Sequence, residues 1–246
     1  MEGLLLLVAI LLPAAGSLLV VFLPWLNERR EDRCFFVGAV MVLECLVVLL
    51  IAFDAERTLV LFEMTKQLPI ALRSDGTSRV FSAVMALMWT ISGFYSFSYM
   101  KHEQNEKSYY AFYLMTLASL MALTLSGTMV TMYLFFEMMT FISMPMVLHS
   151  RTKEAVAAGI KYLIYSVAGA TMGLLGIFML TPNIASPYFV EGGSLLVEQL
   201  NLPHTAFQVI LLVTLIGFGT KAGMFPMHGW LPTAHPVAPS PASAAA

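Results

Sequence analysis

Four ionisable side chains interrupt otherwise apolar runs: Glu44, Glu137, Lys161 and Lys221. A charge at bilayer depth is expensive, so such residues face the bundle interior or water, pair with one another and mark ion pathways. Glu137 lies in MYLFFEMMTFISMPM and is the only Asp, Glu, Lys or Arg between Lys107 and Arg151. On a helix it shares a face with Tyr133 and Phe141. Lys161, in AGIKYLIYS, shares a face with Ala157 and Tyr165, and it is near enough to the end of its run to snorkel along its own stem. Lys221 comes late in an apolar run, on a face with Thr214, Gly217 and Phe218. Gly217, Gly219 and Gly223 surround it and Pro226 follows. Helices broken in this way at membrane depth line cavities and point to transport sites.

One acid and two lysines on neighbouring spans can exchange stabilisation. A nearby carboxylate favours the charged ammonium and an apolar setting favours the neutral amine. Changing the distance between Glu137 and Lys221 would therefore move a proton on and off the lysine, a relay that an outside event must drive. His228 and His235 stand in a turn rich in Pro and Trp, where a titratable imidazole could hand protons inward or simply build the turn. Glu44, beside Cys45, has no partner legible in the sequence; it could be a proton site or a contact to another subunit.

The elements that must hold these groups follow from composition. Of the 246 residues, 59% are hydrophobic and 11% charged, against roughly 25% charged in soluble domains. Apolar runs of spanning length occur at residues 4–26, 34–53, 80–100, 108–125, 129–148, 155–180 and 204 to about 225, which predicts an all-α polytopic bundle of about seven transmembrane helices with the seventh broken at its prolines. The first run lacks a basic leader and is expected to be a retained helix. The segment NERREDR is expected to be a charged loop, and TLVLF with LPIAL a short surface hairpin. In the sixth run, Gly169 and Gly173 have the spacing that lets two helix backbones approach closely.

Arg29, Arg30, Arg33, Lys101, Lys107, Arg151 and Lys153 fall in the loops after the odd-numbered spans. The positive-inside rule then puts those loops in the cytoplasm and the N-terminus outside. The net charge of -2 argues against a nucleic-acid partner. Cys34 and Cys45 share one span and suggest neither a disulfide framework nor a metal site. No haem pair, CxxC set or Gly-rich dinucleotide turn implies a cofactor, and no nucleophile–base pair implies a stand-alone enzyme.

FFEMM, KYLIYS and GTKAGMFPMHGWLPTAHPVAPSPASA closely resemble the proton-translocating, antiporter-like membrane subunits of respiratory complex I, a superfamily that includes Mrp-type cation/proton antiporters and the membrane arms of energy-converting hydrogenases. AHPVAPSPASA is more similar to the Mrp and hydrogenase branches. The resemblance implies that Glu137 is the essential glutamate of the fifth helix and Lys221 the lysine of the broken seventh. Lys161 resembles a lysine near that pair, and His235 the histidine leading into an eighth helix. Glu44 matches no motif of the family, and His228 enters only as part of the turn. Members of the superfamily are built from two inverted repeats, each round a broken helix. Matched to that plan, residues 1–107 would be three leading helices with a surface hairpin. Residues 108–246 would be most of the first repeat, a truncated antiporter-like unit.

The function this implies is ion translocation, of H+ first, by a multi-pass subunit of a redox-driven complex in the cytoplasmic membrane, its redox chemistry in other subunits. Two alternatives stay open: a Na+/H+ antiporter subunit of Mrp type, and a truncated structural or assembly remnant.

Overall fold

A computed structural model describes residues 3–196 and 203–245. Its helices are α1 (Leu4–Phe22), α2 (Trp25–Glu28), α3 (Arg30–Phe53), α4 (Gly76–Tyr99), α5 (Glu106–Thr124), α6 (Met129–Val147), α7 (Lys153–Leu180), α8 (His204–Gly219), α9 (Leu231–Ala234) and α10 (Ser240–Ala245). Between α3 and α4 run the antiparallel strands β1 (Arg57–Glu63) and β2 (Pro69–Ser74). Among the described residues five helical segments are long and apolar enough to cross a membrane: Leu4–Phe22, Arg30–Phe53, Gly76–His102, Met129–Val147 and Lys153–Asn183. The nineteen-residue α5 and the sixteen-residue α8 complete the helical bundle.

Helix starts follow local chemistry. Asp75 caps α4 through a reciprocal box with Ser78. Thr128 and Thr152 accept from the backbone N–H of Thr131 and Ala155 and so start α6 and α7. The turn before α4 and the α5–α6 corner are tied together by the hairpin. Ala71 N–H donates to Thr131 Oγ1 at 2.9 Å, Gly127 N–H to the Ala71 carbonyl at 2.8 Å, and Arg73 N–H to the Leu125 carbonyl at 2.7 Å. The inner strand buries Ala71 and Leu72 while β1 is largely exposed, so the expected hairpin is present as a lid over that corner.

α5 is the axis of the bundle. It buries side chains all round, among them Tyr109, Tyr110, Tyr113, Leu114 and Leu117, and packs against α1, α4 and α6. Burial in lipid offers no water-driven gain, so close packing and interhelical hydrogen bonds carry the association. Ser17 on α1 donates to the Ala111 carbonyl at 2.7 Å. Trp89 Nε1 donates to the Tyr113 carbonyl and Tyr113 Oη to the Trp89 carbonyl, with the two rings 4.8 Å apart. α7 and α8 meet through small residues: a Cβ on Gly217 would lie 2.6 Å from the Gly169 carbonyl oxygen, so the expected close approach along Gly169 and Gly173 is real.

Two sequence expectations are corrected. NERREDR is not a loop: Glu28 closes α2 and α3 begins at Arg30, because Arg30 and Arg33 find a buried partner in Glu106. The last long helix does not run to its prolines. It ends at Gly219, so Lys221 stands in the irregular segment and shares no helical face with Thr214, Gly217 and Phe218. Glycines support a helix poorly, and here another set of bonds replaces it. Met224 N–H reaches back to the Gly219 carbonyl at 2.9 Å, and Gly223 takes φ +67°, a conformation open to glycine. Sixteen helical residues rise about 24 Å, less than the roughly 30 Å hydrocarbon core, so the irregular backbone begins at membrane depth.

Candidate functional site

α6 and α7 present a row of polar side chains to the segment after Gly219. Thr140 and Ser143 lie on α6, and Tyr162, Tyr165 and Ser166 on α7. Lys221 Nζ donates to Tyr162 Oη at 2.5 Å and lies 4.5 Å from the centre of that ring and 5.9 Å from that of Phe136. Tyr162 Oη is 2.8 Å from Ser143 Oγ, and Ser143 Oγ donates to the Thr140 carbonyl. With Lys221 as a donor-only ammonium, the tyrosine proton is directed onto Ser143. The three residues thus form one directed chain of hydrogen bonds.

The turn that follows is built to hold Lys221 in place. Trp230 Nε1 donates to the Thr220 carbonyl at 2.8 Å, its ring packs on Tyr162 at 5.1 Å, and the His235 ring stacks on it at 6.0 Å. Gly229 makes room for Tyr165: a Cβ there would lie 2.7 Å from Tyr165 Oη. Lys221, Tyr162, Ser143, Trp230 and His235 line one cavity of about 330 Å3, whose lining also includes Trp89 and Thr116.

Glu137 is one residue from Phe136 on α6 but does not line that cavity. Its Oε1 is buried without a hydrogen-bond partner. Carboxylate and ammonium act on each other through space, yet among the described residues no ion pair joins Glu137 to Lys221. The predicted pair is therefore open.

The other predicted residues divide. His235 joins the cavity wall. Lys161 precedes Tyr162 on α7 and is half-buried, with no hydrogen bond or ion pair to Lys221 or Glu137 among the described residues. His228 sits beside the Phe225 ring and lies off the cavity. Glu44 is wholly buried on α3, a helix that packs on α1 and α4, and neither carboxyl oxygen has a hydrogen-bond partner among the described residues. The structure does not bring it to Lys221. Sequence reasoning missed Tyr162, Ser143 and Trp230. Their signal was present but weak: hydroxyl and indole N–H groups in apolar runs, which need partners when buried.

A second charged cluster lies elsewhere. Glu106, at the start of α5, forms an ion pair with Arg30, whose Nε lies 2.9 Å from it, and accepts a hydrogen bond from Arg33 Nη2 at 2.5 Å. The Arg30 guanidinium also donates to the Phe97 carbonyl, and Cys34 Sγ approaches Glu106 at 3.9 Å.

Residues 126–245 match the family model described as NADH:quinone oxidoreductase/Mrp antiporter, transmembrane. Over those residues the chain is similar to this family of antiporter-like membrane proteins. The matched segment carries Glu137, Lys161, Lys221, His228 and His235 and leaves Glu44 outside. The chain is 30% identical over 177 residues to hydrogenase-4 component B of Escherichia coli, covering 71% of this chain and 26% of that protein. It is 27% identical over 246 residues to the A/B component of a probable K(+)/H(+) antiporter of Rhizobium meliloti, covering 96% of this chain and 24% of that one. Its fold is similar to a chain of the Mrp complex from Dietzia sp., with a TM-score of 0.78 at 22% identity over 98% of this chain and 26% of the other. The chain thus spans about a quarter of the length of these curated relatives. Several of these relatives are named as subunits or components of larger assemblies, and this chain is a multi-pass membrane protein.

Proposed function

We propose that this protein moves protons, with Lys221, Tyr162 and Ser143 as the conducting chain and Glu137 as the movable counter-charge. The observation that carries the reading is the directed bond from Lys221 Nζ through Tyr162 Oη to Ser143 Oγ inside a membrane-depth cavity. Irregular backbone at that depth is tolerated where it lines such a space. When Glu137 approaches, the ammonium is stabilised; when it withdraws, the apolar wall of Phe136 and Trp230 favours the neutral amine, and the proton passes through Tyr162 and Ser143 to water in the cavity they line, the Ser143 hydroxyl turning away from the Thr140 carbonyl. His235, on the same cavity wall, exchanges protons with the cytoplasmic mouth of the cavity. Lys161 tunes the field from the neighbouring position, and we assign His228 and Glu44 no step.

In this reading the ion is H+, the driver is a conformational or redox event in partner subunits, and the loops rich in arginine and lysine face the cytoplasm. Residues 1–107 brace the conducting unit of residues 108–246. A reading as part of a Na+/H+ antiporter draws support from relatives such as the A1 component of a Na(+)/H(+) antiporter of Staphylococcus aureus, 30% identical over 174 residues. The relay serves either case, since both move H+.

The test replaces Glu137 with Gln, Lys221 with Met and Tyr162 with Phe in the assembled complex, followed by proton uptake into inverted vesicles. Uptake should fall at least tenfold with Lys221→Met, roughly the penalty for removing about 1.4 kcal/mol of relay stabilisation. Wild-type uptake in both the Glu137 and Lys221 variants would sink the relay. Replacing external Na+ by K+ separates the antiport reading, which requires a cation dependence.

A further inference from the structure

Outside the relay, a second cavity of about 350 Å3 opens where the start of α5, the end of α6 and the start of α7 meet. One wall is apolar: Phe112 on α5, Met144 and Pro145 on α6, and Val156 with Ile160 on α7. Val156 and Ile160 are four residues apart, so they form one stripe along α7, and both are exposed. The other wall is polar: Asn105, Ser108, His149 and Arg151. Leu148 seats against Gly159, where a Cβ would come within 2.5 Å of it, and this holds the α6 and α7 walls at a fixed spacing.

Two features of the polar wall call for a ligand. His149 is 9% exposed, and its Nε2 has no hydrogen-bond partner. Buried polar atoms are as a rule hydrogen-bonded. The Gln104 backbone acts on the ring, and a neutral imidazole protonated at Nδ1 presents Nε2 as an acceptor. Arg151 is exposed in a left-handed conformation, φ 54°, and no ion pair engages its guanidinium among the described residues. Glu103 and Arg151 both act on His149 through space, and Lys107 and Lys153 flank the same end of the bundle.

We propose that this groove binds one acidic phospholipid with a hydroxylated headgroup, such as phosphatidylglycerol. Its phosphate meets Arg151, a headgroup hydroxyl donates to His149 Nε2 once the buried ring turns toward the groove, and an acyl chain lies along Phe112, Met144 and Ile160. A zwitterionic lipid would cancel the Arg151 attraction with its own cation and would bring no hydroxyl to His149. A free phosphate would leave the apolar stripe uncovered.

The test is native mass spectrometry of the protein, extracted from its own membrane in mild detergent and titrated with phosphatidylglycerol or phosphatidylcholine of the same chains. Phosphatidylglycerol should be retained preferentially. Arg151→Asn, which keeps a residue tolerant of the left-handed backbone, should lower that retention about fivefold, the factor one basic group contributes at an anionic surface. Arg151→Lys should keep most of it, and Ile160→Trp, which fills the stripe, should exclude both lipids. Equal retention of the two lipids by the wild type would overturn the proposal, as would an unchanged preference in Arg151→Asn. So would full competition by glycerol phosphate, which marks a headgroup site alone. A photo-crosslinker at Ile160 that captures polypeptide in place of lipid would assign the groove to a partner protein and overturn the proposal too.

Discussion

Two sets of opposite charges within the helical bundle are arranged differently. Arg30, Arg33 and Glu106 close at 2.9 and 2.5 Å near the starts of α3 and α5. Glu137 and Lys221 stand on α6 and the broken segment with no ion pair between them, and the lysine spends its bond on a neutral phenol. The planar arginine fork suits a fixed carboxylate, whereas a lysine is a compact point charge on a flexible stem. A closed cluster joins helices; an open one leaves a charge free to change partners. Depth fits the division, since Arg30 and Glu106 begin their helices while Glu137 is at the middle of its own.

The comparison can be broken most severely at the closed cluster. Glu106→Ala strands two arginines, one of them buried, and should destabilise the protein by about 3–5 kcal/mol, read by unfolding in detergent. A loss below about 1 kcal/mol would mean that the cluster is as loose as the other pair. Lys221→Met should do the reverse: proton uptake is lost while the unfolding midpoint stays close to wild type, because no ion pair is broken. Tyr162→Phe removes both hydrogen bonds of the Tyr162 hydroxyl, to Lys221 and to Ser143, at about 0.6 kcal/mol each; it keeps the ring beneath Lys221 yet slows uptake, and an unaffected rate would remove Tyr162 from the path. The smallest effect is one of pH at the closed end of the bundle. Burial holds His149 below the usual imidazole range, with Arg151 adding to the shift and the Gln104 backbone and Glu103 opposing it. Its contribution to stability is complete above the ordinary imidazole value and is lost as the pH falls through the lowered folded-state value. His149→Phe should flatten that part of the stability profile.

Much of this was legible in the sequence for a simple reason. An apolar run of spanning length has few alternatives in a bilayer, so the long helices, the small-residue stripe on α7 and the hairpin between α3 and α4 could be read from pattern alone. Glu137 and Lys221 stood out because charge in such a run is rare. Arg30 and Arg33 were read as loop charges because Glu106 is more than seventy positions from them, and only folding brings it near. The end of α8 was misplaced because Pro226 was the visible breaker, while the break depends on bonds from Gly219 to Met224 and on Trp230 reaching the Thr220 carbonyl.

The sequence by itself determined that the chain is a membrane bundle and that one acid and two lysines in its second half are the groups to explain. Both follow from the cost of placing charge and bare backbone in hydrocarbon, which depends on local composition. Only the tertiary structure decided what Lys221 touches. Tyr162 is 59 residues away from it, and Ser143 a further 19. Hydrogen-bond partners at that separation are set by how α6, α7 and the broken segment pack, not by any spacing along the chain.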